Sequence, residues 1–239
     1  MSAPLFLVQS LPSGQRCVLD GPEGHHAAVV QRLRPGEHLV LCDGRGGMAT
    51  AVVTAVAKSA LELMVLERRQ AEPAEPRLVV AQGIAKGDRG ELAVQAMTEA
   101  GVDEILPWAA ARSVAQWRAE RGVKAREKWV ATAREAAKQA RRAWLPVIGG
   151  TPDVSTKELA GRAGFVLHEA AQDRLSNVEL PGTGEIVLVV GPEGGITDEE
   201  LALLTGAGAR AVRLGETVLR TSTAGVAALA VLSARLGRW

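Results

Sequence analysis

The chain has 239 residues, 47% of them hydrophobic, with 28 basic and 27 acidic side chains and a formal net charge of +1. That length and apolar content suit one large or two small globular domains and exclude a disordered chain, while the near-zero charge excludes a protein that grips nucleic acid through its overall charge. No apolar run approaches the roughly 20 residues of a membrane helix, and Met1–Leu11 carries no basic segment before its short apolar run, so neither a span nor a signal peptide is expected.

Residues 1–70 read as short strands. Leu39–Gly47 (LVLCDGRGG) sets an Asp-Gly turn between apolar runs, a hairpin signal, and Ala51–Leu66 continues with β-branched and apolar residues. The only helix expected here lies around His26–Leu33. Together these residues fit a small β-barrel. Residues 71–77 form a Pro-containing polar linker, and residues 78–239 a second domain. In that domain Arg77–Gln82 (RLVVAQ) reads as a strand, Gly90–Ala100 as a helix stopped by Gly101, and Val102–Trp108 as another strand. Gly164–Glu169 and Ile186–Val190 are further strands. Strands alternating with helices predict a parallel sheet with crossover connections, and hence an α/β fold.

Two turns in this domain stand out. The apolar strand IVLVV runs directly into Gly191–Gly195 (GPEGG), and Leu214–Ala224 (LGETVLRTSTA) leads into an apolar helix holding Val226, Leu229, Val231 and Leu232. GPEGG lacks the Lys and Ser/Thr of a phosphate loop and the G-x-G-x-x-G spacing of a dinucleotide turn. Glu193 at its centre would repel a pyrophosphate, so a neutral or cationic ligand held by backbone groups suits it better. Thr197–Glu200 (TDEE) has the spacing of a capping box, and Thr221, Ser222 and Thr223 are candidate caps for the last helix. Arg220, at the mouth of that helix, would be paired or aimed at a ligand. A strand–turn–helix connection with glycines for geometry alone remains open for GPEGG taken by itself.

Charge is unevenly spread. Residues 112–142 hold ten basic and three acidic side chains; on a helix Arg134, Lys138 and Arg141 share one face while Trp129, Ala133, Ala136 and Ala140 share another. Such a stripe is suited to neutralising backbone phosphates, with a solvated helix face as the alternative. With no Tyr and only Phe6 and Phe165, a sheet that stacks RNA bases is not expected. Cys17 and Cys42 show no C-x-x-C spacing and no His cluster accompanies them, which reads as reduced thiols in a metal-free, cytoplasmic protein.

Four ordered blocks resemble the RsmE-type 16S ribosomal RNA (uracil-N3)-methyltransferases of the SPOUT class. They are His25–Glu37 (HHAAVVQRLRPGE), Lys86–Trp108 (KGDRGELAVQAMTEAGVDEILPW), Glu135–Arg142 (EAAKQARR), and GPEGG with the T-x-x-E helix start followed by LG-x-x-VLRT-x-TA. The resemblance implies a PUA-like β-barrel domain followed by a SPOUT domain whose C-terminal segment forms a trefoil knot. It implies S-adenosylmethionine as cofactor, 16S rRNA of the small ribosomal subunit as partner, and a homodimer with no metal and no membrane association.

Carried onto this chain, the resemblance places the cofactor against Leu167, His168 and Glu169, against Val190, Gly191, Pro192, Gly194 and Gly195, and against Leu214, Gly215, Val218, Leu219 and Thr223. Arg220 is the candidate for holding the uracil oxygens, and Glu193 the candidate proton acceptor. RNA contacts are expected from Arg32, Arg34 and Arg45 and from Arg134, Lys138, Arg141 and Arg142. His168, His25 and His26 are read as structural or RNA-contacting groups. Two alternatives stay open: a SPOUT enzyme methylating another position, such as a tRNA ribose 2′-oxygen, and a non-catalytic RNA-binding assembly factor.

Overall fold

The computed structural model describes residues 3–150 and 152–239, so the first two residues of the N-terminal stretch read above lie outside it. The chain divides into two compact units, residues 1–73 with 137–145, and residues 74–136 with 146–239.

The first unit is a five-stranded sheet in the order β1-β3-β4-β5-β2, formed by β1 (Leu5–Leu7), β2 (Arg16–Leu19), β3 (His38–Cys42), β4 (Gly47–Val56) and β5 (Leu61–Gln70). The expected hairpin is present, with β3 and β4 antiparallel and Cys42 opposite Met48. Asp43 Oδ1 closes its turn by accepting from the N–H groups of Arg45 (2.7 Å) and Gly47 (2.9 Å). Two register shifts bend β4 against β5, and such bulges curl a sheet around its own side chains. Phe6, Leu39, Leu41, Leu61 and Leu63 fill the interior. The helix expected around His26–Leu33 starts and ends earlier, as α1 (Gly21–His25) followed by a π-helical turn, His26–Val30. Pro22 favours the earlier start, and the chain leaves helical geometry at Arg32, where φ is +56°.

The second unit is a six-stranded sheet in the order β11-β9-β10-β6-β7-β8. Its strands are β6 (Arg77–Gly83), β7 (Glu104–Trp108), β8 (Val147–Ile148), β9 (Phe165–Leu167), β10 (Glu185–Val190) and β11 (Arg210–Val212). Every pairing is parallel. The helices are α2 (Arg89–Glu99), α3 (Ala119–Gln139), α4 (Thr156–Ala160), α5 (Asp198–Gly206) and α6 (Thr221–Arg235). The continuous apolar runs of β6 and β10 reflect burial on both faces. Leu78, Val80, Ile186, Leu188 and Val190 join the core with α2 and α6, whereas Val79, Ala81, Val187 and Val189 join the core with Leu159 and Leu204.

The 168–184 connection pairs alongside the C-terminal passage of the chain, with Arg174 opposite Arg213 in parallel. Asp173 O accepts from Arg213 N (2.8 Å), Arg213 O accepts from Leu175 N (2.9 Å), and Arg235 donates to Leu175 O (3.0 Å). Leu175 and Val178 are buried in the core that also holds Leu229 and Leu232. These bonds fasten the 168–184 connection to the chain between β11 and the end of α6.

α3 ends at Gln139, and Arg141 sits beyond it with φ +54°. Arg134, Lys138 and Arg141 therefore do not form one continuous helical face, because the chain leaves the helix before the third of them. Arg142 N bonds back to Ala137 O (3.0 Å), which closes the helix end.

Leu229 is fully buried in the α6 layer. Leu229→Ala is expected to lower unfolding free energy by about 2–5 kcal/mol, measured as a shift in urea midpoint at unchanged slope.

Candidate active site: a cavity at the strand ends

Because β9, β10 and β11 are parallel, the connections that follow them emerge on one edge of the sheet, where ligands of open α/β sheets bind. A cavity of about 660 Å³ lies there. Its wall comes from three stretches: Leu167–Glu169, Val190–Ile196 and Arg213–Thr221, with Arg89, Arg112 and Ala224. Twelve of the thirteen expected cofactor contacts line it. The exception is Thr223, whose hydroxyl bonds Arg220 O (3.1 Å) in the first turn of α6. Both proposed catalytic residues, Arg220 and Glu193, are also in the wall.

The walls are joined by a buried polar relay. Gln82, at the end of β6, donates through Nε2 to Thr221 Oγ1 (2.9 Å), and that hydroxyl donates to Gly191 O (2.7 Å). A hydroxyl has one proton to give, so the direction of the relay is set. Thr221 thereby ties the start of α6 to the first residue of GPEGG, with Arg220 one position upstream as the helix N-cap. No side chain caps this helix, so the Thr221 and Ser222 hydroxyls do not act as the sequence pattern predicts. Close approach explains the neighbouring glycines: a Cβ on Gly83 would lie 2.5 Å from Pro192 N, and one on Gly194 would lie 2.7 Å from Arg112 O. Gly195 has φ +77°, the left-handed region that favours glycine.

Glu193 is anchored. Its Oε1 accepts from Lys86 N (3.2 Å) and from Arg89 (3.4 Å), which docks GPEGG against the turn before α2. The capping box predicted at Thr197–Glu200 is present in both directions. His168 Nδ1 accepts from Ala170 N (3.3 Å), and His168 N extends the sheet by donating to Val212 O (2.9 Å), in keeping with a structural role. From Leu214 to Leu219, all of which line the cavity, no main-chain N–H is paired internally among the described residues. Sequence patterns missed Gln82, Arg89 and Arg112, which lie outside the two conspicuous turns and reach the site only through the fold.

Among the expected RNA contacts, Arg32, Arg34, Arg45, Arg134 and Arg141 are exposed. Lys138 differs from expectation: its side chain is 10% exposed and pairs with Glu23 at 3.0 Å, so it is spent within the first unit. Among the described residues no group of three His, Cys, Asp or Glu side chains could hold a metal ion, and no helix is long and apolar enough to cross a membrane.

Residues 72–233 match the family model of an RNA methyltransferase domain, and residues 19–66 match an RNA methyltransferase PUA domain. The fold and cavity are thus those of an RNA methyltransferase with a PUA domain. A ribosomal RNA small subunit methyltransferase E from Mycobacterium bovis is 47% identical over 247 residues, covering 100% of this chain and 94% of that protein. The namesake from Bacillus subtilis is 32% identical, covering 90% and 88%. The crystal structure of the Neisseria gonorrhoeae enzyme of that name, bound to S-adenosyl methionine, superposes with a TM-score of 0.86 at 29% identity, covering 98% of both chains. The chain belongs to the ribosomal RNA small subunit methyltransferase E family.

Replacing Thr221 by Val would leave Gln82 Nε2 and Gly191 O without their buried partner. A loss of about 1–3 kcal/mol is expected, with Thr221→Ser retaining most of the stability; thermal unfolding of the pair checks this.

Proposed function

We propose that this protein methylates N3 of a specific uridine in the 16S rRNA of the small ribosomal subunit, using S-adenosylmethionine. The observation that carries the assignment is the cavity itself, framed by the parallel strand ends and bordered by Arg220. Its residues fit the cofactor. Leu167, Val190, Pro192, Ile196 and Leu214 offer an apolar slot, and the unpaired N–H groups of residues 214–219 can meet the edge of an adenine. Glu169 and Glu193 supply carboxylates that a cationic sulfonium tolerates. When bound, S-adenosylmethionine supplies the methyl group on a positively charged sulfur.

Uracil N3 must lose its imide proton, which spreads negative charge over the two flanking oxygens. Arg220 makes no ion pair among the described residues, so its guanidinium is available to stabilise that charge. With Oε1 of Glu193 held by Lys86 N and Arg89, Oε2 is the atom we assign to take the proton. The remaining work is positioning, which the rigid Thr221 relay supports.

The β-rich N-terminal unit is assigned to RNA binding through Arg32, Arg34 and Arg45, with Arg134, Arg141 and Arg142 adding phosphate contacts. The exposed Val218, Leu219 and Trp239 support a homodimer, and the substrate places the enzyme in the cytoplasm. Sedimentation equilibrium should give twice the chain mass; a stable, active monomer overturns the dimer.

Arg220→Ala is expected to lower the methyl-transfer rate by about 10²–10³-fold with an unchanged unfolding curve. Glu193→Gln should slow transfer at least tenfold while calorimetry shows cofactor binding retained. The decisive experiment is transfer of labelled methyl to small subunits lacking the modification, with nucleoside mass spectrometry. N3-methyluridine is the expected product; a 2′-O-methyl product, or no transfer by a folded, cofactor-binding chain, refutes the assignment.

A further inference from the structure

The arginines of the cavity wall fall into two kinds. Arg89 is paired with Glu193 (3.4 Å) and Arg213 with Glu216 (3.4 Å). Arg220 and Arg112 make no ion pair among the described residues. Arg220 is assigned above to the uracil oxygens. Arg112 is exposed; among the described residues it makes one long hydrogen bond, from Nη1 to Gly194 O (3.4 Å), and its charge acts on the Glu199 carboxylate without forming an ion pair.

Yet the backbone that carries Arg112 is held firmly. Glu200, 7% exposed, accepts through Oε1 from Ala111 N (2.8 Å) and from Thr156 Oγ1 (3.0 Å). Thr156 Oγ1 in turn accepts from Trp108 Nε1 (3.1 Å), and the other Glu200 oxygen accepts from Thr197 N (3.1 Å). Burying a carboxylate is costly unless it is fully hydrogen-bonded, and here three donors converge on it. A capping box needs only the bond to Thr197 N. The bond to Ala111 N is additional, and its effect is to fasten the residue next to Arg112 against the start of α5. Gly194 completes the seat, since its missing side chain lets the Arg112 backbone approach.

An unpaired guanidinium on an anchored backbone at a cavity rim is the arrangement that recognises an anionic oxygen. We infer that Arg112 binds a backbone phosphate of the RNA substrate beside the target nucleotide, and that Glu200 is the positioning residue that holds it there; this rests on the methyltransferase assignment above. Its exposure favours a phosphate arriving from solvent over the carboxylate of the cofactor.

The test measures small-subunit affinity across a potassium chloride series for the full-length wild type, Arg112→Ala, Arg112→Lys and Glu200→Ala. Cofactor affinity is read by calorimetry and folding by thermal unfolding. Loss of one phosphate contact should lower the slope of log affinity against log salt by about 0.7–0.9. Arg112→Ala is expected to show that decrease, with about tenfold weaker subunit binding and unchanged cofactor binding. Arg112→Lys should restore the slope but only part of the affinity. Glu200→Ala should weaken binding in the wild-type background and add nothing in the Arg112→Ala background, a non-additivity that a purely structural role would not produce. Should Glu200→Ala fail to fold, the exposed Arg112 substitutions still decide the phosphate contact. Weakened cofactor binding with an unchanged salt slope would identify the anion as the cofactor's carboxylate and overturn the proposal. So would unchanged behaviour of Arg112→Ala in every measurement. A wild-type chain that binds subunits but transfers no methyl would instead refute the methyltransferase assignment, which the Arg112 comparison leaves separately visible.

Discussion

The hydroxyl of Thr221 joins parts of the chain separated by 139 and 30 residues, accepting from Gln82 and donating to Gly191. It can do so because β6 and β10 pair in parallel with Val190 opposite Gln82, which brings Gln82, one residue from the end of β6, beside the turn that follows β10. Slipping that register by one residue would turn Gln82 to the opposite face of the sheet. The relay also needs α6 to begin against the strand ends, and the 168–184 connection holds the chain there. One hydrogen-bonded hydroxyl thus depends on the whole parallel sheet, and the placement of Arg220 depends on that hydroxyl.

The same logic governs the glycines around the cavity. At Gly83 and Gly194 a Cβ would come within 3 Å of backbone atoms, so these glycines let two backbones close on one another, while at Gly191 it would meet the Ile196 side chain. Charged side chains then divide by partner. Glu193 and Arg89 fasten GPEGG to the start of α2, Glu200 fastens Ala111 to α5, and Arg220 and Arg112 line the cavity without an ion pair among the described residues.

The family comparison adds a constraint that geometry alone lacks. A parallel sheet with a cavity at its strand ends serves many chemistries, since function resides in the site and not in the fold. Relatives matched along nearly their whole length restrict the choice to RNA methyl transfer. Within that class, an unpaired arginine beside a cofactor-sized cavity suits a substrate whose reacting atom must become negative.

Much of this was legible in the sequence because it is local. The apolar strand entering GPEGG, the T-x-x-E start of α5, the Asp-Gly hairpin and the apolar last helix are all written in consecutive residues whose periodicity or turn chemistry acts over a few positions. Twelve of the residues that the family resemblance assigned to the cofactor line the cavity, as do Arg220 and Glu193. Local patterns failed where partners are remote. Nothing near Lys138 announces that Glu23 neutralises it, and the left-handed turn at Arg141 breaks a helical stripe that spacing alone would continue. Gln82 reads as one polar residue ending an apolar strand, and Arg112 as one more charge in a basic run. Their places at the cavity follow from strand pairing and from the buried Glu200 carboxylate, both of which join residues dozens of positions apart. Short-range patterning set the elements and the turns of this protein; the choice of which side chains remain free to act was made by long-range hydrogen bonds and ion pairs that exist only once the sheet has closed.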